Sequence, residues 1–438
     1  MKHRCRALPL CLAASLLLLG LGLRPATGQL LGPEFQVNTY TTNSQWYPAM
    51  AADGAGNFVV VWESLGQDGS LSGVFGQRFN SAGSRLGSEF QVNTFTTNYQ
   101  RDPAVAADGT GNLVVVWHSF AQDGAGWGVF GKRFDSAGTP VGSEFQVNSY
   151  TTRSQFGPAV AADGAGNFAV VWGSASQDGS NYGVFGQRFN SLGGLVGSEF
   201  QVNSYTTQGQ RDPAVAADGA GNFVVVWHSL DQDGSSWGVF GQRFDSAGTP
   251  VGSEFQVNSY TTNAQSNPAV AADGPGNFVV VWQSRNQSVY TDVFGQRFNS
   301  AGSKVGSEFQ VNSEPWYRNY RPAVAADSAG NFVVAWQSLY QSSYYANYFV
   351  SGQRFNSAGS RVGSSFQVNA YADYGLVSAI PPVAADGAGN FVVVWHRGRN
   401  EDGSDYGVFG KQLTIAIFSN GFEAGDACAW SAAVGGGC

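Results

Sequence analysis

From Gln29 to Ala427 the sequence contains no cysteine, so neither a disulfide framework nor a thiolate metal site holds this stretch together. Charge is scarce as well: 12% of the 438 residues are charged, with 31 acids against 23 bases and a formal net charge of −8. That balance offers no basic footprint for nucleic acid or an anionic membrane. There are only two methionines and four histidines, and stretches of strong helix formers are missing. The one long apolar run, Leu8 to Leu23, lies at the start, and no later segment is long enough to span a bilayer.

Glycine and aromatic residues are abundant, with 59 Gly and 14% Phe, Trp and Tyr, which fits strands joined by tight turns. Residues 1–28 form a separate segment. Lys2, Arg4 and Arg6 precede the apolar run, and small residues precede Gln29, the pattern of a secretory signal peptide. Its removal, with Arg24, takes the formal charge from −8 to −12 and leaves Cys428 and Cys438 as the remaining cysteines. In an oxidising compartment these two are expected to close one small loop in the tail, residues 418–438.

The body, residues 29–417, repeats itself. "FQVN" begins at Phe35, Phe90, Phe145, Phe200, Phe255, Phe309 and Phe366, in steps of 55, 55, 55, 55, 54 and 57 residues. An independent marker, the Trp closing "VVVW" or "VVAW", recurs at Trp62, Trp117, Trp172, Trp227, Trp282, Trp336 and Trp395. A period of this size signals a repeat architecture. Each period holds four strand-like segments, "PAVAAD", "NFVVVW", "GVFGQRF" and "SEFQVN", separated by turn sequences such as "DGAGN" and "NSAG". In "NFVVVW" both alternating sets are apolar, as a sheet covered on both faces requires. An all-β, seven-bladed propeller of four-stranded antiparallel blades is therefore expected. The lone "PEFQVN" at residues 33–38 can supply the fourth strand of the last blade, a one-plus-three closure.

The combination of "FQVN", "PAVAADG.GNFVVVW", "QDG" and "GVFGQRF" resembles the propeller-forming repeats of secreted and cell-surface bacterial proteins, including large adhesin-like and calcium-binding toxin-like chains. The resemblance covers residues 33 to about 413 and implies architecture and location; it transfers no catalytic residue. The tail "FSNGFEAGDACAWS" resembles a short C-terminal segment of exported bacterial proteins.

Recurrence separates scaffold from site. Asp53 and its counterparts precede a hairpin in every repeat and read as turn formers. The "QDG" residues Asp68, Asp123, Asp178, Asp233 and Asp402 read the same way, with calcium the one cofactor left open. One Asp per loop is a thin donor set for an ion that takes about six to eight oxygens. Arg78 and Glu34, with their counterparts, read as structural partners on adjacent strands. His118, His228 and His396 occupy equivalent positions that a ring holds apart, which disfavours shared zinc.

The remaining aromatics fall on one face of the ring, where the second-to-third-strand loops and the interblade links emerge. Trp127 and Trp237 fall in such loops and Trp46 and Trp316 in links; Tyr182, Tyr317, Tyr345 and Tyr406 follow the same bias. These residues are the candidate ligand contacts. The expected function is a secreted or surface-displayed, monomeric binding module for carbohydrate or another surface polymer. A structural spacer and a propeller-type glycosidase or polysaccharide lyase are the alternatives. No enzymatic activity is expected, because an active site draws different residues from different blades and "PAVAAD" is nearly uniform.

Overall fold

The computed structural model describes residues 29–415 apart from 289, 315–316, 342–345, 371–379, 387–388 and 399–404. The expected signal peptide, the tail with Cys428 and Cys438, and the candidates Trp316, Tyr345 and Asp402 lie outside the described residues. Every regular element described is a strand, and the strands form seven four-stranded antiparallel sheets, a seven-bladed β-propeller. No helix among the described residues is long and apolar enough to cross a membrane.

Blade one runs from its innermost strand outward as Gln45–Ala52, Phe58–Leu65, Ser72–Phe79 and Arg85–Gln91. The first strands of successive blades touch in turn, and Val383–Ala385 of blade seven touches the first strand of blade one, so the ring closes around them. In blade seven the outer position is taken by Gln29–Gln36, which pairs antiparallel with Tyr406–Ile415 and sets Phe35 opposite Gly410.

The core lies between blades. Val59 and Val61 of blade one pack with Val105, Leu113, Val115 and Trp117 of blade two, while Phe58, Val60 and Trp62 face Val392, Val394 and Val408 of blade seven. The all-apolar second strand is thus explained by its two neighbours. The seven repeated tryptophans are all 0–1% exposed, and truncating one such side chain to Ala costs about 3–5 kcal/mol. Phe58 stacks on its cross-strand partner Phe79 at 4.8 Å, a pair that recurs round the ring. "GVFG" keeps its second glycine because a Cβ at Gly76 would lie 2.8 Å from the ring of Phe90.

Arg78 and Glu89 do not pair with each other, a correction to the sequence reading. Arg78 donates to the carbonyls of Ser136 and Ala137 in the next blade, and Arg133, Arg188, Arg243 and Arg297 repeat this. Glu89 instead accepts from Thr39 in the preceding link and from Gln67 of "QDG". Each residue fastens different pieces of the ring, which adjacency on strands does not reveal.

Candidate functional site

The face carrying the links is held by the Asn of "FQVN". Asn93 is buried; its Oδ1 accepts from Val74 N–H, and its Nδ2 donates to Phe95 O, to Gln100 Oε1 at 3.2 Å and to Asp68 Oδ2 at 3.2 Å. One side chain therefore ties the third strand, the link, the next blade and the "QDG" loop. Asp68 also receives Ser70 N–H, and Asp123, Asp178 and Asp233 make the same turn. Blade five lacks this aspartate but carries Asp292 where blade one has Gly73. Asp292 accepts from Asn312 at 2.7 Å and Asn319 at 3.0 Å, while a Cβ on Gly73 would meet Asp68 Oδ2 at 2.5 Å. Either position delivers one carboxylate to the same place. Among the described residues no group of three or more His, Cys, Asp or Glu gathers as a metal site.

The described aromatic candidates sit on strand ends rather than in free loops. Trp127, Tyr182, Trp237 and Tyr406 each begin a third strand, Trp46 is the second residue of a first strand, and Tyr317 immediately precedes one. All are half-buried. Trp127 packs edge-on against His118 at 4.5 Å and Phe120 at 5.1 Å, and Trp237 against His228 at 4.4 Å. Tyr406 of blade seven reaches Trp46 of blade one at 6.1 Å, and Tyr317 lies 5.8 Å from Tyr340. Tyr406 and Tyr182 therefore reach across seams between blades, to Trp46 and to Arg211, while Trp127, Trp237 and Tyr317 pack on rings of their own blade.

The inner strands are less uniform than "PAVAAD" suggests. They begin three residues earlier, at a buried Gln in blades one to five, and a register shift separates the following residue from the alanine after Pro, as between Trp46 and Ala49. The residue before proline has a positive φ in six blades: Tyr47, Asp102, Gly157, Asp212, Asn267 and Arg321, at 46° to 57°. For the non-glycine members this conformation costs about 1–3 kcal/mol each, and bulges of this kind re-aim side chains. The axial rim thus presents a different dipeptide from nearly every blade: Trp46-Tyr47, Arg101-Asp102, Phe156-Gly157, Arg211-Asp212, Ser266-Asn267 and Tyr320-Arg321.

A side chain from the preceding blade caps several of these bulges. Tyr47 N–H donates to His396 Nδ1 at 3.3 Å, Gly157 N–H to His118 Nδ1 at 3.3 Å and Asn267 N–H to His228 Nδ1 at 3.4 Å. Gln283 does the same for Arg321 at 3.1 Å. Burial holds all three histidines below the usual range, His396 at about 3, which keeps each ring neutral and able to accept.

At the same position blade one carries Glu63, which the sequence reading passed over. Its side chain is 1% exposed, ion-paired with Arg101 at 3.2 Å and faced by Trp46 and Ser72; burial raises its pKa to about 7. The available signal was comparison across repeats: Glu63 is the one acid in a column otherwise holding His, Gln or Gly.

The opposite, hairpin face carries quasi-equivalent clefts between blades, of ≈ 260–480 Å³, lined for instance by Asp108, Asn112, Arg133 and Phe134. Their polar groups are already engaged: Asp108 accepts from Thr110 and Asn112, and Arg133 donates to Ser191 and Leu192. They are joints of the ring with little donor or acceptor capacity left for a ligand.

No family model and no curated protein matches the sequence. Solved structures do. A protein of unknown function from Dyadobacter fermentans superposes with a TM-score of 0.53 at 9% identity, over 89% of this chain and 99% of that one. An α-L-arabinofuranosidase from Fusarium graminearum gives 0.47 at 11% identity over 89% and 100%, and a PL25 ulvan lyase gives 0.47 at 10% over 87% and 96%. At such identities the likeness shows the fold alone. The expectation of no enzymatic activity is corrected at its premise: the rim supplies the blade-to-blade diversity that the uniform "PAVAAD" conceals.

Proposed function

We propose that the chain is a secreted or surface-displayed ring that engages carbohydrate on the link face. The observation that carries this reading is the set Trp46, Trp127, Tyr182, Trp237 and Tyr406, half-buried at strand starts on one face and braced by neighbouring rings or a guanidinium. Aromatic faces attract the polarised C–H groups of sugars, and a braced ring loses little entropy on binding. The test is a panel of neutral and acidic polysaccharides, with and without calcium, read for retention and for released products. The double variant Trp127→Ala, Trp237→Ala should lose binding with its melting temperature held; lost melting with intact binding would assign these rings to the scaffold.

Glu63 favours a second reading, turnover of the bound glycan. A carboxyl group that titrates at about 7 beside the Arg101 guanidinium can exchange a proton near neutrality, the property of a general acid or base. Glu63→Gln should then abolish product release while retention persists.

A further inference from the structure

Repeats two and four are near copies, and the differences around their rim arginines are informative. Arg101 pairs with Glu63 at 3.2 Å and lies over the ring of Tyr99 at 4.0 Å. Arg211 occupies the same position in blade four, but Gly173 stands where Glu63 would be. Phe156 lies over that glycine, 3.1 Å from where a Cβ would sit. The guanidinium of Arg211 is instead carried over Tyr182 at 3.9 Å, and Tyr182 packs edge-on against Phe156 at 5.2 Å. Among the described residues the Arg211 side chain donates no hydrogen bond and has no acid within ion-pair distance, and its Nε is buried without a partner. The adjacent Asp212 is turned to His228 at 3.8 Å and is largely exposed.

The residues beside this cation differ as well. In blade two Tyr99 stands between Arg101 and Trp127, its ring 6.3 Å from the indole. Blade four has Gly209 there, and a Cβ on it would meet Arg211 Nε at 3.5 Å, Asn181 Nδ2 at 3.9 Å and Trp237 Cη2 at 3.9 Å. The tyrosine under the guanidinium comes from the link in blade two and from the preceding blade, as Tyr182, in blade four. The link position beside Trp237 is therefore a glycine there, bordered by a guanidinium, an amide and an indole.

We propose that this seam between blades three and four is a subsite for a carboxylated sugar, a uronate unit of an acidic polysaccharide. Arg211 receives the carboxylate, which matches the planar guanidinium fork, Trp237 flanks the sugar ring, and Asn181 supplies a neutral hydrogen-bonding group. Tyr182 orients the guanidinium from below. The proposal rests on the carbohydrate reading and narrows its substrate class.

The test is calorimetric titration of the full chain at low salt with oligogalacturonate, and with the same oligomer after its carboxyl groups are reduced to alcohols. The acidic oligomer should bind about 10- to 100-fold more tightly, the range of a charged hydrogen-bonded pair. Arg211→Gln should erase that difference. Gly209→Tyr, which borrows the side chain accommodated in blade two, should weaken binding of both oligomers. Equal affinity for both, or undiminished preference in Arg211→Gln, overturns the uronate subsite while leaving the carbohydrate reading in place. Failure of both oligomers overturns the subsite, and failure across the whole panel overturns the broader reading too. The comparison between oligomers needs no variant, so it stands if a substitution impairs folding.

Discussion

Arg397 Nη1 donates to Glu34 Oε1 at 2.8 Å across 363 positions of sequence, with 6% and 16% of the two side chains exposed. The pair joins the outer strand of blade seven to the second strand of the same blade. Glu34 also accepts from Ala370 N–H at 3.0 Å. Breaking a buried pair from one side is costly because the surviving charge keeps its desolvation penalty, about 3–5 kcal/mol. Glu34→Gln is expected to lower the melting temperature clearly, and deleting residues 29–38 should promote association through the bared edge of Tyr406–Ile415. A deletion variant that stays monomeric with unchanged melting would remove this account of closure.

The exchange between Asp68 and Asp292 makes a double-mutant prediction. Gly73→Asp alone forces two carboxylates into one place and should destabilise blade one; adding Asp68→Ser should recover most of the loss, since Ser288 and Asp292 already form that combination in blade five. Additive losses in thermal melts would show that the two carboxylates do not share a position.

Glu63 should make stability fall with rising pH. Its carboxyl ionises near 4.5 when unfolded and near 7 when folded, because burial disfavours the charge. The folded state therefore holds the extra proton between these values. This contribution is complete below pH 4.5 and lost as pH rises through 7, about 3 kcal/mol in all. Glu63→Gln should flatten denaturant-derived stability across that window, and an unchanged slope would contradict the assignment.

His396 acts with the opposite sign. Burial, then the charge of Arg321, lowers its pKa from 6.5 to about 3, while Tyr47 N–H and the ring of Tyr406 face it. Its contribution is present above pH 6.5 and lost as pH falls towards 3, about 4–5 kcal/mol. Gln283 already caps the equivalent bulge at Arg321, so His396→Gln should keep Tyr47 capped and reduce acid sensitivity in the same titration. Acid sensitivity equal to that of the parent chain would show that another group carries it.

The scaffold was legible because its physics repeats. The buried Trp, the Phe58–Phe79 stack, the Gly76–Phe90 contact and the Asn93 network each recur, and their spacing announces blade number and strand count. The rim was not legible for the converse reason. Trp46-Tyr47 and Arg101-Asp102 vary from blade to blade, fall just before the repeating "PAVAAD", and read as link until the early strand start and the positive φ place them at the axis. Glu63 and Arg101 belong to different repeats, so only the ring brings them within 3.2 Å. The aromatic candidates were chosen by residue type and face, whereas the contrast between Tyr99 and Gly209 required knowing what each side chain packs against.

The central claim, that ligand binds the link face, is tested most directly by hydrogen exchange of the full chain with and without a saturating polysaccharide from the panel. Slowed exchange is expected in the loops at residues 66–71, 121–126, 176–181 and 231–236 and at the first-strand starts near Trp46, Arg101 and Arg211, with the hairpins at residues 53–57 and 108–112 unchanged. Protection confined to the hairpin clefts around Asp108 and Arg133 would contradict it.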